Sequence, residues 1–530
     1  MAKSVMTHQF SRVPSAQIPR SSFDRSHGVK TTFNADDLIP IFVDEVLPGD
    51  TFNLKMTGFA RMATPIKPIM DNLFLETFFF FVPNRLVWDN WQKFNGEQDN
   101  PGDTTDYVIP KQSGAVWQAG QLGDYFGLPT VSPCPPFNQL PFRGYKLIYN
   151  EWFRDQNLQN AEDFSRTDSQ TPAITTLNRR GKRHDYFTSC LPWPQKGDTV
   201  NLPLGATAPV RGIAVSAAET FTDTLTGGKD SVGTGANYQD ASQQPGNTWF
   251  MQGTTSGAGG LPNIYTDLSQ ATAATINELR QAFQVQRMQE RDARGGTRYT
   301  EIVRAHFGVV SPDARLQRPE FLGGGTSMVN INQVEQTAAT QTGENASPQG
   351  NLAAYGTASI NNHGFTRSFT EHGYVIGLIN VRADLTYSQG MERMWDRSTR
   401  YDFYWPALAM LGEQAVLNQE IFVHPTDPND ASNRQVFGYN ERHAEYRYKP
   451  SRITGQFRSN AQGGSLDPWH LSETFDGLPS LNADFIMPKT PMDRVQAVAN
   501  EPSFLFDGYF SYKCARPMPI HGVPGMIDHF

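Results

Sequence analysis

Residues 38–62 read LIPIFVDEVLPGDTFNLKMTGFARM. Ile39, Ile41 and Val43 alternate with their neighbours, Pro48-Gly49-Asp50 supplies a turn, and Phe52, Leu54 and Met56 resume the alternation. A side-chain period of two marks a strand with one buried face, because successive Cβ atoms point to opposite sides. Two such runs about a Pro-Gly-Asp turn predict a β-hairpin. Working outward, residues 71–83 predict the next strand, and Phe78 to Phe81 give it enough apolar surface to bury both faces. Residues 302–310, 374–381 and 504–513 predict further strands.

Helical signals are fewer. Asn84 predicts the cap of a short helix carrying Leu86, Val87, Trp88, Trp91 and Phe94, closed by Gly96. Trp88 and Trp91 are three apart and share a face, which reads as core rather than a stacking site. Residues 145–156 look helical. Thr275-Ile276-Asn277-Glu278 matches a capping box, followed by Ile276, Leu279, Phe283 and Met288 at roughly helical spacing and ended by Gly295-Gly296. Residues 197–272 change character: Gly, Thr, Ser, Asn, Gln and Ala dominate, and carboxylates outnumber cations. They read as a surface excursion, and 336–360 as a second polar loop. Residues 388–414 carry the aromatic anchors Trp395, Tyr401, Phe403, Tyr404 and Trp405 without clean periodicity. Strands separated by long irregular insertions predict an all-β chain, a β-sandwich with a few short helices. At about 5–6 residues per strand, most of the mass falls in the connections. The organisation expected is an extended basic arm over 1–34, a core over 35–199 and 273–530, and an insertion over 200–272.

The chain has 530 residues, 45 Lys plus Arg against 53 Asp plus Glu, and a net charge of −8. That balance argues against a protein built mainly to condense nucleic acid. Aromatics at 12% exclude a disordered chain, and 45 Gly with 36 Pro fit one rich in loops. Cys134, Cys190 and Cys514 are too few and too scattered for a disulfide framework or a zinc site. No apolar run approaches the roughly 20 residues of a membrane helix, and no secretory signal follows Met1, so folding in a cytoplasm is expected. There is no phosphate-binding loop, no H-E-x-x-H, no C-x-x-C and no G-x-S-x-G. No catalytic residue, cofactor or metal ligand is therefore assigned, and a non-enzyme is expected. Two stretches concentrate positive charge. Arg179, Arg180, Lys182 and Arg183 fall within five positions; residues 439–458 interleave Arg442, Arg447, Lys449, Arg452 and Arg458 with Tyr446, Tyr448 and Phe457. Cations beside aromatic faces suit single-stranded nucleic acid, since phosphates take the charge and bases stack. The alternative is salt bridges and packing between subunits. The residues assigned to nucleic-acid contact are Lys3, Arg12, Arg20, Arg25 and Lys30 of the arm, with Arg447, Lys449 and Arg452.

Longer motifs carry a resemblance. His8-Gln9-Phe10, Val13-Pro14-Ser15-Ala16 and the run from Arg20 to Ser26 resemble the opening of microvirus major capsid proteins, the gokushovirus branch in particular. So do the runs at 45–52, 70–73, 80–86, 97–103, 185–197 and 304–309. Residues 200–270 and 336–360 fall outside it. The resemblance implies an eight-stranded antiparallel jelly roll with very large loop insertions. It implies a T=1 icosahedral shell of 60 copies around a circular single-stranded DNA genome, assembled in the cytoplasm of a host bacterium. The partners implied are further copies of the chain, the genome, a small basic DNA-binding protein, a minor pilot protein and a cell-surface receptor, without membrane insertion. The family's protrusion at the threefold axes corresponds to 200–272, where Phe221, Trp249 and Phe250 supply apolar contact. The competing reading is a β-sandwich carbohydrate-active or adhesive protein.

Overall fold

The computed structural model describes residues 19–131, 133–169, 176–200, 276–339, 348–424, 431–461, 464–498 and 501–522. Between 201 and 275 it gives the backbone of five short strands. Among the described residues nine strands join one antiparallel sheet: β1 (Ser21–Asp24), β2 (His27–Phe33), β3 (Ile39–Val46), β4 (Thr51–Met62), β5 (Leu73–Pro83), β6 (Glu320–Glu335), β7 (Leu352–Ser368), β8 (Gly373–Ala383) and β9 (Phe504–Arg516). The path is β1-β9-β4-β7-β6-β5-β8-β3, with β2 also on β9. The sheet curls at β6, whose residues 320–329 pair with β5 and 330–335 with β7. This leaves two faces of four strands each, β2-β9-β4-β7 and β3-β8-β5-β6, with the short β1 sharing the β9 edge with β2. Successive strands mostly fall on opposite faces, which is the jelly-roll order.

The core lies between the faces. Phe52, Leu54 and Met56 of β4 and Phe504, Phe506, Phe510 and Tyr512 of β9 meet Ile39, Ile41, Leu75, Phe79, Val375 and Ile379 from the other side. Phe42 on β3 reaches Phe510 on β9 with ring centroids 5.2 Å apart, and Phe79 on β5 reaches Phe365 on β7 at 5.6 Å. Strand β9 alternates buried and exposed along most of its length, as a half-buried strand must. Strands β5 and β8 are buried on both faces. Their outer residues Phe80, Val82, Ile376 and Leu378 join a second apolar cluster with helix α1 (Leu140–Ile148) and Trp88. Helix and sheet meet closely at Gly144, where a Cβ would lie 3.2 Å from the Ile376 side chain. Trp88 is fully buried and donates from Nε1 to Asp168 at 2.7 Å, so the Trp88–Trp91 pair is core. All three cysteines are buried and free.

Several expectations fail for physical reasons. Strands β3 and β4 do not form a hairpin: β3 pairs with β8, β4 with β7 and β9, and the turn at Gly49 carries the chain from one face to the other. Amphipathic alternation fixes which side chains are inward but not which strand is the neighbour. Residues 302–310 are not a strand but helix α3 (Tyr299–Phe307), closed by Gly308 at φ +70°. The Glu301 carboxylate accepts from Arg298 N at 3.0 Å, and short apolar runs do not distinguish helix from strand. The described part of the basic arm, from residue 19, supplies β1 and β2 on the edge of β9. Phe33, buried, stacks on Phe504 at 5.6 Å. The second polar loop is shorter than expected, because 352–360 begin β7. Ala354, Gly356 and Ala358 face inward there, and a Cβ on Gly356 would come within 2.9 Å of the Met62 Cβ, so small residues hide the alternation. The strands themselves run to 16 and 17 residues in β6 and β7, about three times the expected length.

Residues Gln195–Arg294 cluster as a separate compact unit. It holds an antiparallel ribbon in which Glu219–Asp223 lies between Lys229–Val232 and Trp249–Gln252, and a two-stranded pair of Val210–Arg211 with Tyr265–Thr266. Helix α2 (Ile276–Gly295) follows, exposing Ile276, Phe283 and Met288; the predicted cap Thr275 lies outside the described residues.

Candidate assembly and nucleic-acid surfaces

Cations of the first stretch are tied into the subunit. Arg179 meets Asp37 at 3.2 Å, and Lys182, almost wholly buried, meets Glu473 at 2.6 Å. Arg180 pairs with Glu76, which also accepts from Arg382 at 2.8 Å. One carboxylate between two guanidiniums leaves excess positive charge in a partly dry place, and burial with the neighbouring Arg382 and Arg183 brings Arg180 down to about 10. These charges hold the wall of the sandwich.

The assigned arm residues are divided. Lys3 and Arg12 lie outside the described residues. Arg20 donates to Thr51 Oγ1 at 2.6 Å. Arg25 binds Asp44 through both terminal nitrogens, one at 2.9 Å, and Tyr512 donates to the same carboxylate at 2.6 Å. Lys30 lies 3.6 Å from Asp507, both groups open to water. Such an exposed pair contributes little.

The second stretch is built differently. Short 3₁₀ turns at Arg393–Trp395 and Ala444–Tyr446 replace regular elements, so aromatic side chains stay partly outside. Arg447 pairs with Glu441. Lys449 and Arg452 both pair with Glu392, Arg452 at 2.5 Å. The hydrogen bond from Lys449 holds the Glu392 carboxyl below its usual range, with Arg452 assisting. Arg447, Lys449 and Arg452 nevertheless keep more than half of their side-chain surface in solvent, so a polyanion can reach them. Beside them a cleft of about 530 Å³ opens between 387–397 and 445–458. Its floor is Tyr186, Phe187 and the buried Glu420, which accepts from Tyr186 Oη at 2.8 Å and Arg393 at 3.0 Å. Burial raises the Glu420 carboxyl. Arg397 donates to Glu445 at 3.1 Å and to Tyr446 Oη, and lies 4.3 Å over the Tyr446 ring.

The structure thus brings Lys449 and Arg452 together on Glu392 and gives Arg20, Arg25 and Lys30 separate partners, Thr51, Asp44 and Asp507. Sequence reasoning missed Glu392, Arg393 and Arg397 as their companions. The run from Arg393 to Arg397 does alternate charge with Met394 and Trp395, but nothing in the sequence ties it to residues about fifty positions later. The expected protrusion residues fall on the ribbon of the second unit: Phe221 is in register with Met251, Phe250 with Thr222, and Trp249 with Asp223. Among the described residues no group of three or more His, Cys, Asp or Glu is placed to hold a metal, and no helix is long and apolar enough to cross a membrane.

Comparison with known proteins matches residues 11–526 to the family "Capsid protein (F protein)". The chain is 47% identical to capsid protein VP1 of Bdellovibrio phage phiMH2K over 99% of its length and 98% of that protein's. It is 45% identical to capsid protein VP1 of Chlamydia phage 1, covering 99% and 98% of the two chains. Capsid protein VP1 of Spiroplasma virus 4 is 37% identical, with 98% and 97% covered. With a jelly roll as its scaffold and near-complete coverage in each comparison, the chain belongs to the F-type capsid protein family of the Microviridae.

Proposed function

We propose that 60 copies of this chain close a T=1 shell around a circular single-stranded DNA genome, inside the cytoplasm of a host bacterium. The observation that carries this reading is end-to-end similarity to VP1 capsid proteins. Self-assembly and a place in the virion follow from the family. The chain then acts by geometry rather than by catalysis. A sandwich closed on its own core leaves long connections free to bury surface against neighbouring copies. Its net charge of −8 leaves packaged DNA to be neutralised by another component, which the small basic DNA-binding protein would supply. A minor pilot protein completes the particle.

The Lys449–Arg452 surface is assigned to the genome side, because its cations are solvent-accessible and sit beside aromatic rings. Residues 200–272, with Phe221, Trp249 and Phe250, are assigned to an outward protrusion at the threefold axes that takes part in binding a bacterial receptor. Electron microscopy of the purified full chain tests the shell: closed particles of uniform small diameter are expected, and monomers at every concentration would refute it. In assembled particles, shortening 253–260 is expected to lower adsorption to cells without loss of shells. Unchanged adsorption after removal of the whole insertion would move receptor binding elsewhere.

A further inference from the structure

The cleft between 387–397 and 445–458 combines an excess of cations with exposed aromatic rings. Five cations, Arg393, Arg397, Lys449, Arg452 and Arg458, line it against three carboxylates, Glu392, Glu420 and Glu445. Two of those carboxylates are committed within the cleft: Glu420 to Arg393 and Tyr186, and Glu445 to Arg397. Glu392 holds Lys449 and Arg452 side by side, so this point carries one positive charge in excess and both cations are pre-positioned. The remaining lining mixes hydroxyl side chains such as Ser388, Ser451 and Thr454 with methionine and aromatic side chains. Trp395 and Tyr448 line the cleft with 68% and 48% of their surfaces exposed. Arg397, which also lines the cleft, keeps its Nε buried without a partner among the described residues.

From this arrangement we propose that the cleft seats one unstacked base of single-stranded DNA, with Trp395 and Tyr448 as its stacking surfaces and Lys449 and Arg452 on the adjoining phosphate. The excess of cations selects a polyanion and rejects a basic peptide. The volume of about 530 Å³ lies in the range of pockets that enclose a nucleotide-sized ligand. Duplex DNA keeps its bases paired and stacked, so only a single strand offers a ring to the aromatic wall. Because every base has a π-face, the site is indifferent to sequence. This inference rests on the assignment of Lys449 and Arg452 to the genome, and adds that the contact includes a base.

The test measures binding of the full-length chain to two labelled oligonucleotides of equal length, oligodeoxythymidine and its abasic counterpart, across a salt series. The unmodified protein is expected to bind the thymidine strand about tenfold more tightly than the abasic one, the value of one stacked base. Trp395→Ala combined with Tyr448→Ala is expected to remove that preference. Lys449→Gln with Arg452→Gln is expected to weaken both probes alike and to reduce the salt slope by about 0.7, the value for one neutralised phosphate. Equal affinity of the unmodified protein for the two probes, with the charge variant still weakening both, would overturn the base pocket and leave the genome-facing assignment standing. No effect of the charge variant on either probe would overturn the assignment and the pocket together. The comparison of probes on the unmodified protein needs no variant to fold.

Discussion

The face of β9 and the cleft at 387–458 use the same kind of residue for opposite ends. Phe504, Phe506 and Phe510 alternate into a dry space and meet rings from the facing sheet. Trp395 and Tyr446 sit on short turns and Tyr448 on irregular chain just after one, so none shares a regular face, and each remains about half exposed or more. The contrast extends to charge. Around Glu76 two arginines are drawn in beside the sandwich, whereas around Glu392 two cations lie in solvent. Backbone regularity decides the difference: a strand delivers every second side chain to one plane, and a chain of 3₁₀ turns spreads its side chains around a rim. A buried aromatic stabilises the subunit, while an exposed one is available to a partner.

The largest effect that could break this comparison comes from truncating one ring in each region. Phe510→Ala is expected to cost about 3–5 kcal/mol in denaturant unfolding of the dissociated subunit, because the facing sheet cannot collapse into the space. Trp395→Ala is expected to stay within about 0.5 kcal/mol, as surface substitutions do. Equal costs would mean that the cleft aromatics are structural.

A smaller contrast concerns the carboxylates. Glu76→Gln leaves Arg180 and Arg382 facing each other with little water, and about 3 kcal/mol should be lost by the same measurement. Glu392→Gln should cost less than about 1 kcal/mol, since Lys449 and Arg452 are solvated whether paired or not. A large loss at Glu392 would place that pair inside the folding core.

The smallest effect sharpens the dryness of the sandwich. His363 on β7 lies 2.9 Å from Thr77 on β5, and burial lowers its pKa below the ordinary 6.5. A base whose folded pKa is depressed takes up its proton more readily in the unfolded chain. Stability should therefore be full above pH 6.5 and decline as pH falls from there toward the folded pKa, levelling below it. His363→Gln should flatten that part of the stability curve. An unchanged slope would assign the decline to other groups.

Much of the fold was legible because it depends on local periodicity. Residues 38–62 and 504–513 announce strands by alternation, and the Phe78–Phe81 run announces burial on both faces, as β5 confirms. The long motifs likewise carry the resemblance to the capsid family. Local pattern was insufficient at 302–310, where helix and strand compete on equal terms, and at 352–360, where small inward residues erase the contrast between faces. The cleft was half legible: the alternation of cations with Tyr446 and Tyr448 is visible in the sequence, but the clamp that orders them is not.

Local pattern is enough to mark the inward side chains of residues 39–62 and 504–513, the long motifs to mark the capsid family, and composition to give the excess of negative charge, since each is a property of neighbouring residues or of the whole chain. Only the tertiary structure decided that β3 and β4 part to opposite faces, that residues 21–33 become the edge of β9, and that Glu392 meets Lys449 and Arg452. Each of those facts joins segments with no local preference for one another. Their pairing is settled by which closed arrangement leaves the fewest backbone groups unpaired and the most apolar surface covered.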